Sequence, residues 1–337
     1  MGFDFTENFE KMMEEKKLDT ILILGHMIPD GDATGSVMGL AHYLHTVYPH
    51  CRVVPYLADD MFKGPRKLAE KDKIFNPFNM PDKKSLGRYG VIVCDTATRD
   101  RIAGKELYDN GADSIIIDHH AANEGYGSVN NTYISEACAQ NIFYLLDWER
   151  WDACMTEAEK LHPNALDYIY LGIVQDTSGF ERASVPTMEA ASALLKKGVD
   201  HKEIIKTMHN TSLHDLYKRA ELLKMVQRAE DGKVAYIYVD QAVKEAYGIG
   251  YEDIYPMCTL LRECEDIELG FTMFERTPGN WRCSFRSDGK WINCNKLLSF
   301  FNGGGHAGAA GLSKKTHKPE KLLSDILAQI AALRKEA

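Results

Sequence analysis

A chain of 337 residues, 45% hydrophobic and 26% charged, is long enough for two domains with full-sized cores and has the make-up of an ordinary globular protein. Its formal net charge of −9 excludes a broad basic surface for long duplex nucleic acid, while leaving room for a local basic pocket that takes a small phosphate compound. The N-terminus is acidic without a signal-peptide core, and no apolar run approaches the roughly 18 residues of a spanning helix, so a cytoplasmic location off the membrane is expected.

The first predicted strand is the apolar run Ile21–Leu24, and it runs directly into Gly25–Ser36, where His26, Asp30 and Asp32 fall close together. Pro29 and the glycines of this stretch suit a tight loop, and a helix is expected to follow. Val53–Leu57 is a further candidate strand. The run Gly90–Cys94 ends in Asp95, and strand alternation turns Cys94 to the opposite face, into the core. Ser114–Ile117 ends in Asp118, His119 and His120. Leu166, Ile169, Tyr170, Ile173 and Val174 recur at helical spacing, which places Asp176 near the end of a helix. This alternation of strand-like and helix-like runs predicts a doubly wound, mainly parallel sheet with helices on both faces.

From about residue 186 the pattern turns helical and charged, with Met188–Lys197 and Leu213–Arg228 as predicted helices. Asp231 and Gly232 then open a strand, Val234–Val239, followed by strand candidates Glu268–Phe274 and Trp281–Arg286. The expected organisation is α/β throughout: an N-terminal domain over 1–187, a helical connector over 188–229, and a smaller C-terminal α/β domain over 230–337. Eight cysteines include no Cys-x-x-Cys pair, so a structural zinc ribbon is unsupported and reduced thiols are the expectation.

In open α/β sheets ligands bind beyond the carboxyl ends of the strands. Three strand ends that each carry Asp or His therefore point to one shared edge. The bland alternative for Gly25–Ser36 is a polar turn with an Asp that caps the next helix. Four carboxylates brought together (Asp30, Asp32, Asp95 and Asp176) would repel by several kcal/mol per close pair at an effective dielectric of about 20. Such a cluster needs cations or protons. Two divalent ions balance four carboxylates, and neutral imidazoles complete the shells. Oxygen ligands mixed with imidazole suit Mn²⁺, with Mg²⁺, Co²⁺ or Fe²⁺ as substitutes.

In the C-terminal part, Asn302–Gly311 holds Gly303, Gly304, Gly305 and His306 in succession. Consecutive glycines let backbone N–H groups approach an anion, and a flexible turn is the alternative. Arg286, followed by Ser287, ends a strand with a guanidinium that could grip a phosphate in two-pronged fashion or simply be solvated. Lys290, Lys296 and Arg282 could add charge nearby. Phe285, Trp291, Phe300 and Phe301 are candidate base-stacking rings, although the core claims most such residues.

His26-x-x-x-Asp30-x-Asp32, Asp95, Asp118-His119-His120 and Asp176-Thr177 together resemble the four motifs of the DHH phosphoesterase family. The fourth departs slightly: Ser178 precedes Gly179, where many relatives place Gly directly after Asp-Thr. The resemblance implies His26 and Asp30 on one metal, with Asp32, His119 and Asp176 on the other and Asp95 bridging both. It implies Asp118 orienting a histidine through its ring N–H, Thr177 in support beside Asp176, and His120 facing the substrate, so that Asp95 and His120 are the expected catalytic residues. The Arg286-Ser287 strand and the Gly-Gly-Gly-His306 loop resemble the DHHA1 domain, which in that family binds the substrate in a cleft between domains.

Among such proteins, the chain is similar to NrnA-type nanoRNases. The implied function is two-metal hydrolysis of short oligoribonucleotides (nanoRNA) to mononucleotides, with removal of the 3′-phosphate of pAp as a second activity. Within the enzyme class the alternative is a cyclic-di-AMP or pApA phosphodiesterase, and outside it a nucleotide-binding regulator. The implied cofactors are two divalent metal ions, Mn²⁺ foremost. The implied partners are short oligonucleotides or small nucleotides, with a homodimer as the one candidate assembly.

Overall fold

The computed structural model describes residues 3–59, 61–158, 160–208 and 211–336. The chain divides into two units, Met1–Asn210 and Thr211–Ala337. The division falls inside the stretch 188–229 expected as a connector. The helices Val185–Lys196 and His201–Met208 belong to the first unit and the helix Leu213–Lys224 to the second. Buried Ala190, Ala191, Leu194 and Ile204 explain the first assignment, because they join the same core as the N-terminal sheet.

The first unit is built on five strands: β1 (Thr20–Leu24), β2 (Arg52–Tyr56), β3 (Tyr89–Cys94), β4 (Ser114–Ile117) and β5 (Val129–Asn131). They lie in the order β2-β1-β3-β4-β5, and every pairing is parallel. Alternation along β1 sends Ile21 and Ile23 into one core with Ile92, Cys94, Ile115 and Ile117, and Leu22 and Leu24 into another with Val91, Val93 and Ile116. Both faces are thus buried, as expected for a doubly wound parallel sheet. The strand order reverses between β1 and β3, so the crevice at their carboxyl ends is where a ligand site belongs.

The helix Gly31–Val47 is buried on nearly every side. Its glycines at 31, 35 and 39 face the helix Ala165–Asp176, where an added Cβ at Gly35 would come within 2.4 Å of the Tyr168 carbonyl oxygen. Close approach of the two backbones sets the start of one helix beside the end of the other.

The second unit carries a six-stranded mixed sheet, ordered β10-β11-β9-β8-β7-β6. Its strands are β6 (Gln227–Ala229), β7 (Val234–Val239), β8 (Leu269–Thr277), β9 (Asn280–Ser287), β10 (Gly304–Gly305) and β11 (Ala309–Lys315). Only β7 and β8 run parallel. One face packs Phe271, Phe285 and Cys283 against Ile326 and Ile330 of the helix Pro319–Glu336. The other packs Ile237 and Val239 against Leu222, Met257 and Leu261. The predicted helix Leu213–Arg228 ends instead at Lys224: Gln227–Ala229 pairs as an edge strand with β7, and Glu230, Asp231 and Gly232 turn the chain with positive φ. Among the described residues no helix is long and apolar enough to cross a membrane.

Candidate metal centre

Three of the four motif segments leave the sheet at its carboxyl edge, after β1, β3 and β4, and the fourth arrives at the end of the helix Ala165–Asp176. His26 is positioned by an isolated bridge to Ile102, and Met27 N–H bonds the Arg101 carbonyl at 2.9 Å. Asp30 caps the Gly31–Val47 helix: its Oδ1 accepts from Asp32 N–H at 3.0 Å and Ala33 N–H at 3.1 Å. The capping role and the proximity to His26 coexist in one carboxylate.

Asp32 is 1% exposed and accepts backbone N–H groups from Cys138 at 2.6 Å and Ala139 at 2.9 Å. These donors open the helix Cys138–Leu145, whose own N-cap residue, Ala137, has no side-chain acceptor. The helix N-terminus thus supplies positive partial charge to a buried carboxylate. That uncapped start was the signal in the sequence that a remote acceptor would be needed.

The donor atoms converge. His26 Nε2 lies 3.9 Å from Asp30 Oδ1 and 3.6 Å from Asp95 Oδ2. His119 Nε2 lies 3.7 Å from Asp32 Oδ2, 3.4 Å from Asp95 Oδ1 and 3.6 Å from Asp176 Oδ2. These separations are long for hydrogen bonds. Two atoms that each sit about 2.1 Å from a common ion can be at most about 4.2 Å apart, so they suit shared coordination. His26, Asp30 and Asp95 form one group and Asp32, His119 and Asp176 a second. Asp95 faces both, with one oxygen toward each imidazole. A third grouping, Asp95 with Asp118, His119 and His120, overlaps them.

Asp95 provides the test of whether these residues fit cations. It is buried, its backbone is left-handed at φ 50°, and Oδ1 has no hydrogen-bond partner. A buried carboxylate oxygen left so is costly unless a cation meets it. The mixed oxygen and imidazole donor set, without a thiolate, fits a hard or borderline divalent ion.

The protonation pattern tells the same story. Burial raises Asp32 well above the usual carboxylate range, reinforced by the neighbouring charges of Asp95 and Asp176. Burial also lifts Asp176 to about 6, with Asp30 and Asp95 adding to the effect against His119. For His26, burial opposes a charge, but Asp30 and Asp95 together lift it to about 10. His119 rises to about 11, burial again being outweighed by Asp95 and Asp32. Burial likewise works against a charged Asp95, yet His119 and His26 hold it well below its ordinary range. Without cations, the two imidazoles hold protons that partly balance the carboxylates.

Around this core the histidines are oriented by partners of their own. His119 Nδ1–H donates to the Ser135 carbonyl at 3.1 Å, which turns Nε2 toward the carboxylates. His120 Nδ1–H donates to Asp118 Oδ1 at 2.8 Å and lies 3.6 Å from Asp95 Oδ1. Asp118 is fully buried and also accepts from Asn123 Nδ2 at 2.6 Å. Ser135 and Asn123 carried no motif signal. Thr177 is buried and closes the helix end: its hydroxyl donates to the Ile173 carbonyl at 2.7 Å and accepts from Phe180 N–H at 3.1 Å. Ser178, Gly179 and Phe180 follow with positive φ, and Arg182 returns to donate to the Asp176 carbonyl.

In the second unit, Arg286 Nη1–H donates to the Phe285 carbonyl at 2.9 Å and Nη2–H to the Tyr255 hydroxyl at 3.1 Å, with the guanidinium 5.6 Å from the Tyr255 ring. The Ser287 hydroxyl donates to the Ile292 carbonyl at 2.7 Å and accepts from Gly289 N–H at 3.1 Å, holding its own turn. The glycine run does not present a row of open N–H groups. Gly303 N–H bonds the Leu298 carbonyl, Gly305 N–H bonds Asn295 Oδ1, and His306 N–H bonds the Ala309 carbonyl. Gly305, at φ 149°, also permits strand contact, since a Cβ there would lie 2.5 Å from the Ala309 carbonyl oxygen. Phe285 is buried in the core, whereas Phe300 is exposed.

The model of the DHH family, N-terminal domain, matches residues 20–173. The bifunctional oligoribonuclease and PAP phosphatase NrnA of Bacillus subtilis is 27% identical over 311 residues, covering 91% of this chain and 94% of that protein. The cyclic-di-AMP phosphodiesterase PdeA of Listeria monocytogenes is 24% identical over 316 residues, 88% of this chain but only 45% of PdeA. Among solved structures, an exopolyphosphatase-related protein from Bacteroides fragilis shares the fold at TM-score 0.80 and 22% identity, covering 98% of this chain and 97% of that one.

Proposed function

The chain belongs to the DHH family of metal-dependent phosphoesterases, and from that premise we propose that it hydrolyses short oligoribonucleotides to mononucleotides and removes the 3′-phosphate of pAp. The observation that carries the reading is the pair of donor groups joined by Asp95, one built on His26 and Asp30, the other on Asp32, His119 and Asp176. The near full-length similarity to NrnA supports the choice of substrate.

In this proposal His26 and Asp30 would hold one divalent ion, Asp32, His119 and Asp176 would hold the other, and Asp95 lies beside both groups, with Mn²⁺ the preferred metal. Two such ions would supply Lewis-acid charge and an activated water for in-line attack at phosphorus. The chain's own residues do the rest. Asp118 fixes His120, which hands a proton to the leaving oxygen. Ser135 keeps His119 turned inward. Arg286, steadied by Tyr255, receives a second phosphate of the substrate, and the neighbouring Ser287 and Gly303 to His306 segment shapes that seat.

The test is a kinetic panel with Mn²⁺: pApA, a five-residue RNA, pAp and c-di-AMP. Mononucleotide release from RNA together with phosphate release from pAp is the expected result. Turnover confined to c-di-AMP or pApA would favour the second reading, which the similarity to PdeA motivates. Tight binding without turnover of any substrate would favour a regulator. Asp95→Ala should abolish hydrolysis and metal uptake together, and retained hydrolysis would overturn the two-metal reading.

A further inference from the structure

The Asn123 side-chain amide is committed on every side. Asn123 is 8% exposed, and its backbone N–H bonds the His120 carbonyl at 3.0 Å, turning the chain back on itself after β4. One amide N–H reaches Asp118 Oδ2 at 2.6 Å and the other the Thr96 carbonyl at 3.2 Å. Gly125 N–H donates to Asn123 Oδ1 at 2.9 Å, which fixes the amide so that its nitrogen, not its oxygen, meets the carboxylate. The second Asp118 oxygen accepts His120 Nδ1–H at 2.8 Å. A buried carboxylate is thus gripped from two sides. The contacts also tie the end of β3, beside Asp95, to the end of β4, which carries His119 and His120.

We propose that Asn123 is a positioning residue: by clamping Asp118 it holds the His120 ring so that Nε2–H meets the leaving oxygen of the substrate. The inference rests on the reading of His120 as proton donor given above. In that step a water that has given up one proton to solvent joins phosphorus as hydroxide, and the bond from phosphorus to the ribose oxygen breaks. Its electron pair stays on the ribose oxygen, the His120 proton goes there, and solvent later restores the proton His120 gives. Removing the Asn123 amide takes a charge-assisted hydrogen bond from Asp118 and frees its carboxylate to rotate. The ring then follows its partner and donates less well. The side-chain amide of Asn123 bonds Asp118, Thr96 and Gly125 and none of the proposed metal-holding side chains, so Mn²⁺ affinity should change little.

The experiment compares leaving groups in the Mn²⁺-loaded full-length protein. The dinucleotide pApA expels a ribose hydroxyl that needs a proton, whereas the p-nitrophenyl ester of AMP expels a phenolate that does not. Asn123→Ala should lower kcat on pApA about 10- to 100-fold with little change in KM. On the ester it should stay within about 3-fold of the parent, because proton donation contributes little there. Mn²⁺ uptake in equilibrium dialysis should match the parent protein. His120→Ala should show the same split, with a loss on pApA of about 10²- to 10⁴-fold. If His120→Ala splits the substrates and Asn123→Ala does not, the role of Asn123 falls alone. If His120→Ala loses both substrates equally, the proton-donor reading falls and the Asn123 inference with it. Should Asn123→Ala fail to fold by circular dichroism, Asn123→Ser, which keeps a small polar side chain, supports the same comparison.

Discussion

Asp95 sits where several local preferences are overridden at once. A left-handed conformation costs a non-glycine residue about 1–2 kcal/mol, and a buried carboxylate oxygen without a partner costs more. Both penalties fall on the residue that faces both imidazoles, as expected where a cation offsets them. Ser178 is also left-handed, at φ 54°, and exposed, with its backbone N–H on the Gln175 carbonyl. Ser178→Gly should therefore stabilise the first unit by about 0.5–1 kcal/mol, read as a thermal midpoint raised by about 1–3 °C.

The raised pKa values of His26, about 10, and His119, about 11, make a second prediction at this scale. Both imidazoles hold protons in the metal-free protein at neutral pH, since each folded value lies above the ordinary 6.5. A cation must displace those protons, so apparent Mn²⁺ affinity should rise with pH from 6 toward 9, with the two imidazole protons among those released. Titration calorimetry at pH 7 in two buffers of different ionisation enthalpy checks this. Binding heats that do not depend on the buffer would overturn it.

The elements bring these residues together through backbone proximity that no single motif shows. The helix Gly31–Val47 starts at the ligand-bearing loop, and Ala165–Asp176 ends at the fourth motif. Their contact depends on Gly35, where a methyl group would lie 2.4 Å from the Tyr168 carbonyl oxygen and 2.8 Å from Gly172 N. Gly35→Ala should cost about 1–3 kcal/mol of stability. Because Asp176 rides on the displaced helix, the Asp32–His119–Asp176 group should lose Mn²⁺ affinity while the His26–Asp30 group keeps more of its own. A Mn²⁺ isotherm in which one of two sites weakens is the expected outcome. Two sites weakened equally would show that the helix contact does not act on Asp176 selectively.

The strands that end in His26, Asp95 and Asp118 are legible in the sequence because each is a fully buried apolar run broken by a polar residue. The short strands β6 and β10, and β11 with its glycine and serine, lack such runs. Pairing with longer neighbours makes them strands, which is why Arg228 belongs to β6 and not to the preceding helix.

At the scale of the molecule, each unit has cores of its own. The buried clusters that hold the five-stranded sheet draw only on residues up to Ile204, and those of the six-stranded sheet only on residues from Leu222 onward. Every candidate metal ligand lies in the first unit. A fragment of residues 1–210 should therefore fold and take up two Mn²⁺ ions with close to full-length affinity, while the role proposed for Arg286 predicts that hydrolysis falls. Mn²⁺ titration and an activity assay of the fragment test this, and a fragment that binds no Mn²⁺ would show that the second unit is needed to form the centre.

The four-motif resemblance in the sequence implied the reaction class, and the residues themselves pointed to cations: chemical identity is local, and three strand ends and one helix end that each carry Asp or His admit few uses besides holding metal. The sequence by itself also determined that the sheet would be parallel, since strands buried on both faces leave continuous apolar runs. Only the tertiary structure decided how those groups are held. The Cys138 and Ala139 N–H groups meet Asp32 across more than a hundred residues of chain. Ser135 aims His119, and Asn123 grips Asp118. Such contacts depend on backbone positions and glycine-permitted helix approach, which arise from packing and leave no periodic trace along the chain.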